Sequence, residues 1–268
     1  GTYMDTQNRK AEFFFTEEDD GYGIVGTGIS GKGVLRYLSA TGLRCVSVRT
    51  AQNTVPEGLP PFDGMRIYTG CTYLRDITEK VLFLSPAVRP DLPPLCEAET
   101  HGTNLSSDVG LFFSRVKGTC FAVTGSDGKS TTCKIAESIL KTGQFENIAL
   151  AGNIGTALSP LLLCDTAASA YAVELSSFQL MRETPHTRRA LITNLTPNHL
   201  DWHKSMEEYK AAKAHIYVRC DEPILFADDE TVGSLLGGRR PYGTYSMTKS
   251  DKELAAVGAH IAVGTDGD

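Results

Sequence analysis

Between residues 123 and 132 the chain reads Val-Thr-Gly-Ser-Asp-Gly-Lys-Ser-Thr-Thr, a run whose residue types suit the phosphates of a nucleoside triphosphate. Small residues let the backbone curl so that successive N–H groups converge on an anion, and a helix starting there adds its positive end. Gly125, Ser126, Asp127, Gly128, Lys129, Ser130 and Thr131 form the expected cradle, in which Lys129 reaches the terminal phosphates and the Ser130 hydroxyl holds Mg²⁺. The common GxxxxGK[ST] loop would need glycine at position 123, where Val123 stands, so this is the tighter TGxxGKS form. The plain alternative is a strand-turn-helix corner with a surface lysine.

Four further positions carry chemistry. Glu174 closes the apolar run Ala170–Val173, and a carboxylate is costly to bury without a partner; the Mg²⁺ of a bound nucleotide, or a cation of the chain, supplies one. Asn153 lies between Gly152 and Gly155, its amide free to reach a ligand, though a turn asparagine would look the same. His199 sits just past the apolar strand expected at Ala190–Leu195, at the edge where ligands gather, with a structural hydrogen-bonding role as the alternative. Lys213 shares helical spacing with Tyr209, Ile216 and Tyr217 in a helix expected over Met206–Tyr217. A lysine near an apolar face needs an anion or a chemical change that makes it one; an ammonium paired with Glu207 or Glu208 is the alternative.

A second glycine loop, Gly26-Thr27-Gly28-Ile29-Ser30-Gly31, follows the short strand Tyr22–Val25 and completes a GxGxxG. That spacing gives a tight turn, close approach to a diphosphate and close helix-strand packing. A dinucleotide site would want an acid about 20 residues on, at the end of the second strand. Leu43–Val48 runs instead into Arg49-Thr50, which favours a diphosphate over NAD, with a loop that merely packs as the remaining alternative.

These loops must be held by alternating strands and helices. Strands at Tyr22–Val25, Leu43–Val48, Arg66–Tyr68 and Val81–Leu84 imply a parallel sheet, the last ending in Ser85-Pro86, which exposes backbone at the carboxyl edge. The expected fold is α/β: a Rossmann-like domain over residues 1–113, then a P-loop-type ATPase domain with a mostly parallel sheet over 114–268. Helix is expected at 32–40 and 134–141, strand at Pro223–Ala227, and a weak strand pair within Ala255–Val263.

With 41% hydrophobic and 22% charged residues the chain has enough apolar content for real cores. Its net charge of -6 argues against a nucleic-acid surface. Seven cysteines without a CxxC pair suit reduced thiols rather than a disulfide frame or zinc site. No apolar run approaches the roughly 20 residues that span a bilayer, so a cytoplasmic chain without membrane partner is expected, as is a monomer. Gly1-Thr2-Tyr3 ahead of Met4 reads as a remnant of cloning.

Taken in order, GSDGKSTT, GNIG, ELSSFQL, TNLTPNHLDWH and SMEEYKAAKAHIY resemble the Mur ligases of bacterial peptidoglycan synthesis. Ser126 together with ELSSFQL is similar to the branch that joins D-glutamate to UDP-N-acetylmuramoyl-L-alanine, and GTGISGKG with LSPAV resembles that branch's UDP-binding domain. The resemblance implies amide formation driven by ATP, in which a carboxylate takes the γ-phosphoryl group and the acyl phosphate is attacked by an amine. It implies that Lys129 stabilises the γ-phosphoryl oxygens and that Ser130 and Glu174 hold Mg²⁺. His199 would form a second metal site with a carbamylated Lys213, while Asn153, Ser176 and His199 would touch substrate. Ile29, Ser30, Arg49 and Thr50 would lie near the uridine diphosphate. Three positions depart from the family pattern: Asn198 replaces an acid, Ala87 a glycine, and Val48 to Thr50 an Asp-Thr-Arg. The chain stops at Asp268, ahead of the family's C-terminal domain, which implies a fragment that binds the UDP substrate better than it catalyses. A non-catalytic UDP-sugar or nucleotide-binding module would use the same loops.

Overall fold

The structure is a computed structural model that describes residues 21–196 and 203–265. Its contacts divide the chain into two compact units, one running to Val116 and including Ser159–Leu163, the other made of Lys117–Leu158 and the residues from Cys164 onward.

The first unit holds strands β1 (Tyr22–Val25), β2 (Cys45–Thr50), β3 (Arg66–Thr69), β4 (Val81–Leu84) and β5 (Asn104–Ser106), with helices α1 (Ile29–Ala40), α2 (Pro93–Thr100) and α3 (Asp108–Arg115). The strands pair in the order β3-β2-β1-β4-β5, all parallel. β1 and β4 are buried at every position, which is why Tyr-Gly-Ile-Val and Val-Leu-Phe-Leu read as unbroken apolar runs: a central parallel strand is covered on both faces. Val34, Leu35 and Leu38 of α1 pack with Tyr22, Ile24 and Phe83, each such burial stabilising by about 1.5–3 kcal/mol. Strand order reverses at β1: β2 and β3 are added on one side of it and β4 and β5 on the other, and a crevice opens between β1 and β4 at the carboxyl ends.

The second unit holds β6 (Thr119–Thr124), α4 (Lys129–Leu140), β7 (Ile148–Gly152), β8 (Ala170–Glu174), α5 (Ser177–Leu180), β9 (His186–Ile192), α6 (Met206–Val218), β10 (Arg219–Phe226), α7 (Glu230–Ser234), β11 (Gly243–Tyr245), α8 (Asp251–Ala255) and β12 (Ile261–Val263). The order is β12-β11-β10-β9-β6-β8-β7, again all parallel. β6 lies between β8 and β9, with Val123 opposite both Glu174 and Leu191, so the phosphate loop, Glu174 and Gly152 leave the sheet at one carboxyl edge.

The α/β architecture with two parallel sheets is the one expected. Several boundaries differ for local reasons. α4 starts at Lys129 rather than 134, because Gly128, with φ +79°, turns the chain directly into the helix. α1 likewise starts at Ile29, and β2 runs on through Arg49 and Thr50. α2 begins on Pro93 and Pro94, a proline start that reads at first as loop. The expected strand pair within Ala255–Val263 is corrected: β12 pairs in parallel with β11, and the intervening α8 is fixed by a capping box in which Ser250 and Glu253 satisfy each other's backbone N–H. Among the described residues all seven cysteines are free thiols, and no helix is long and apolar enough to cross a membrane.

Candidate active site

The phosphate loop of the second unit is shaped by two glycines. Gly125 has φ +146°, and a Cβ there would overlap the Thr193 side chain; Gly128 has φ +79° and faces open space. The loop is then stapled to the residues leaving β9. Thr193 Oγ1 donates to the Asp127 carbonyl (2.6 Å), Asn194 Nδ2 donates to the same oxygen (3.0 Å), and Asp127 N donates back to Asn194 Oδ1 (2.9 Å). Ser126 Oγ donates to the Thr196 carbonyl at 3.0 Å, accepts from Thr196 N at 2.9 Å, and lies 3.0 Å from the Tyr209 hydroxyl.

On the β8 side, Ser130 Oγ donates to Glu174 Oε2 at 2.6 Å and Asn153 Nδ2 donates to Glu174 Oε1 at 2.9 Å. Glu174 is 1% exposed, yet the hydrogen bonds reaching its carboxylate come from neutral donors. A buried carboxylate whose hydrogen-bond donors among the described residues are neutral is only partly compensated, so it is suited to a cation brought by a ligand. Gly152, at φ +101°, has its α-carbon so close to the Glu174 carbonyl that no Cβ fits, and Asn153 N donates to that same carbonyl at 2.8 Å. These contacts fix Asn153 and Glu174 relative to each other.

Lys129 Nζ curls back onto the carbonyls of Gly125 (2.9 Å) and Ser126 (3.0 Å). Lys213, one and a bit turns after Tyr209 on α6, is 2% exposed, and its amine donates to Thr124 Oγ1 (3.1 Å) and the Gly125 carbonyl (2.8 Å) with the Tyr209 ring 4.8 Å away. Burial, and next the charge of Lys129, push its pKa down to about 7, against an opposing pull from Glu174. The amine thus has Thr124 and Gly125 as partners rather than Glu207 or Glu208; Glu208 lies 3.3 Å from His203 Nδ1. Ser176 caps α5, accepting from Gln179 N at 3.2 Å while its own amide donates to Gln179 Oε1. Thr131 is exposed on the first turn of α4. His199 lies outside the described residues. Among the described residues no three His, Cys, Asp or Glu side chains cluster as a metal site.

In the first unit, a cavity of about 270 Å³ opens at the β1–β4 crevice, walled by the Gly26-Thr27-Gly28 turn, Thr50 to Gln52, Tyr73, and Ser85, Ala87 and Val88 just after β4. Gly26 has φ +93°, and a Cβ on Gly31 would run into the Gly26 carbonyl, so these glycines do what GxGxxG spacing requires. Thr50 lines the cavity, while Ile29 is 74% exposed and Ser30 half-buried at the start of α1. Arg49 is not in the wall: it is 1% exposed and bonded inward to Glu79.

The two loops, the buried carboxylate and the buried lysine can now be set beside known proteins. The family model for the Mur ligase middle domain matches residues 123–267, more than half of the chain. The chain belongs to the Mur ligase family. Proteins named UDP-N-acetylmuramoylalanine--D-glutamate ligase are similar to it: that of Acetivibrio thermocellus is 37% identical over 87% of this chain and 52% of its own, and that of Clostridium novyi 34% identical over 89% and 53%. The chain spans about half the length of such curated relatives. Among solved structures, UDP-N-acetylmuramate-alanine ligase MurC from Thermotoga maritima aligns over 86% of this chain and 53% of its own with TM-score 0.50 at 21% identity. A ligase, MPL, from Neisseria meningitides aligns over 85% and 80% with TM-score 0.51 at 14% identity. At such identities these two share the Mur ligase fold with this chain.

Within that Mur ligase frame, the site brings together Lys129, Ser130, Asn153, Glu174 and Lys213. Thr124, Tyr209 and Asn194 are participants that the sequence reading misses. Tyr209 had a signal, being one helical turn before Lys213; Thr124 opens the TGxxGKS loop and Asn194 lies in the TNLTPNHLDWH motif, but neither position by itself names a partner.

Proposed function

We propose that the chain carries the UDP-substrate and ATP sites of an ATP-dependent ligase that joins D-glutamate to UDP-N-acetylmuramoyl-L-alanine through an acyl phosphate. The carrying observation is the convergence of Ser130 and Asn153 on the buried Glu174 carboxylate, one loop away from the Lys129 amine. Names of relatives sharing about half their length with this chain support the choice of substrates.

In this reading the β- and γ-phosphates replace the carbonyls that Lys129 now touches, and its ammonium offsets the charge that moves during phosphoryl transfer. Ser130 and Glu174 are the residues that would hold Mg²⁺, which would supply charge to offset that of the phosphates. Asn153 orients the Glu174 carboxylate and faces the substrate side. Lys213, neutral for much of the time near pH 7, attacks CO₂ through its amine and loses one proton, giving the carbamate anion that serves with His199 at a second metal site. The cavity in the first unit takes the UDP end, with the Gly26-Thr27-Gly28 turn at the diphosphate.

Lys129→Ala tests the reading. ATP binding should be lost, while UDP-N-acetylmuramoyl-L-alanine still binds within about twofold, because its UDP contacts lie in the other unit. Calorimetry of both ligands decides; ATP binding that survives the substitution would overturn the assignment.

A further inference from the structure

Arg49 directly precedes Thr50 of the glycine-loop cavity, and an arginine beside a diphosphate site invites assignment as an anion ligand. Its surroundings point elsewhere. The guanidinium is 1% exposed and absent from the cavity wall, whereas its neighbour Thr50 is part of it. Four of the five N–H donors an arginine carries are already placed. Nε donates to Glu79 Oε1 at 2.7 Å, Nη1 to the Tyr73 carbonyl at 2.9 Å and the Arg75 carbonyl at 2.6 Å, and Nη2 to the Asp76 carbonyl at 3.2 Å. The plane lies 4.1 Å from the Tyr68 ring centroid on β3.

The carboxylate partner is equally committed. Glu79 is 4% exposed, accepts from Ser47 Oγ as well as from Arg49, and takes the Thr78 amide on Oε2 at 2.9 Å. Burial by itself would raise its pKa, but the hydrogen bonds from Arg49 and Ser47 and the Arg49 charge outweigh that and hold it below the usual carboxylate range. The pair is therefore charged and internally satisfied, leaving no net charge to offer a ligand.

What the pair does hold is the cavity. The segment Tyr73–Asp76 has no strand or helix of its own, and Asp76, whose carbonyl accepts from the guanidinium, is the one non-glycine residue at positive φ (+50°) among the described residues. Tyr73 forms one wall of the cavity, Gly26 to Gly28 another. Arg49 reaches both: its side chain holds the Tyr73 carbonyl, and its main-chain carbonyl accepts the Gly26 amide at 2.8 Å.

We propose that Arg49 is a positioning residue of the nucleotide cavity, a buried clamp neutralised by Glu79 that fixes the Tyr73–Asp76 segment against the Gly26-Thr27-Gly28 turn and touches no phosphate. This rests on the reading of the cavity as the UDP end of the substrate site.

The test uses the 268-residue chain with Arg49→Lys, which keeps the charge but loses the fork, and the double substitution Arg49→Met with Glu79→Met. The double variant removes both charges together, so that no unpaired ion is buried, and circular dichroism checks that each variant keeps the parent's fold. UDP and uridine are titrated calorimetrically, and amide hydrogen exchange is followed across residues 70–80. Both variants should lose affinity for UDP and for uridine by the same factor, about tenfold if the binding-competent fraction of the segment falls to a tenth. Exchange across Tyr73–Asp76 should quicken in both. A loss confined to UDP would mean that Arg49 contacts phosphate, and unchanged exchange would mean that the segment does not depend on it; either overturns the proposal. If the unsubstituted chain bound neither UDP nor uridine, the nucleotide reading of the cavity would fail, and the exchange comparison would judge the clamp alone.

Discussion

Lys129 and Lys213 donate to the same oxygen, the carbonyl of Gly125, at 2.9 and 2.8 Å. Two ammonium groups on one acceptor repel, and Lys213, 2% exposed, is the one less able to keep its proton. This links the phosphate loop to α6. Whatever draws Lys129 away toward a ligand relieves Lys213, and whatever makes Lys213 an anion gives Lys129 a partner.

The first prediction is a pH dependence of stability. Lys213 has a pKa of about 7 in the folded chain against an ordinary 10.5, so below pH 7 both states hold the proton and the folded state bears the cost of burying it. Above that, the unfolded chain binds the extra proton, and stability rises with pH, by about 1.4 kcal/mol per unit for one full proton of difference. The rise is opposed above the ordinary thiol value of 9.0, because Cys45 and Cys133 are pushed up to about 12 by burial and the unfolded chain then releases protons first. Chemical denaturation of the parent and Lys213→Met from about pH 7 to 9 isolates the term. The parent should gain on the variant as pH rises; parallel profiles would refute the depressed pKa.

Glu174→Gln keeps the shape at the head of β8 and an oxygen for the Asn153 amide, but removes the charge. ATP binding in the presence of Mg²⁺ should weaken by about ten- to a hundredfold, the range found for groups that organise a metal site. Chelating the metal should weaken the parent similarly and the variant hardly at all. Circular dichroism should be unchanged, since neutralising a buried carboxylate reached by neutral donors seldom harms a fold. If chelation weakened both proteins equally, Glu174 would not be where Mg²⁺ is held.

How far the site could be foreseen depends on whether its residues announce themselves locally. Glu174 does: a carboxylate after four apolar strand residues has no cheap resting place. Lys213 does through its helical register with Tyr209 and Ile216, and the phosphate loop does through its glycines. Arg49 misleads, because its position after the apolar run Leu43–Val48 suggests an anion ligand, while Glu79, which neutralises it, is 30 residues away and visible only once β1 brings β2 and β4 together. Asn194 is silent for the same reason, since its partner Asp127 is 67 residues distant. α8 is not legible: Ser250 and Glu253 have capping-box spacing, but a five-residue helix shows too little periodicity to be told from a turn.

The last prediction concerns Gly152, which lets β7 and β8 meet at the carboxyl edge of the sheet. At φ +101° it faces the Glu174 carbonyl so closely that a methyl group has nowhere to go, and the obstacle is backbone, which cannot rotate aside. Gly152→Ala should cost about 2–4 kcal/mol, from overpacking plus the strain of a positive φ at a residue with a Cβ. The damage should not stop at stability. Relief of the clash must push β7 from β8 where Asn153 N meets the Glu174 carbonyl, so Mg²⁺-dependent ATP binding should fall in the molecules that remain folded. Gly155→Ala is the control: its positive φ and its clash with the Leu150 carbonyl destabilise comparably, but the collision lies away from Glu174. Denaturation curves and calorimetry on both variants separate the effects. Equal ATP affinity in the two would show that Gly152 serves the fold alone.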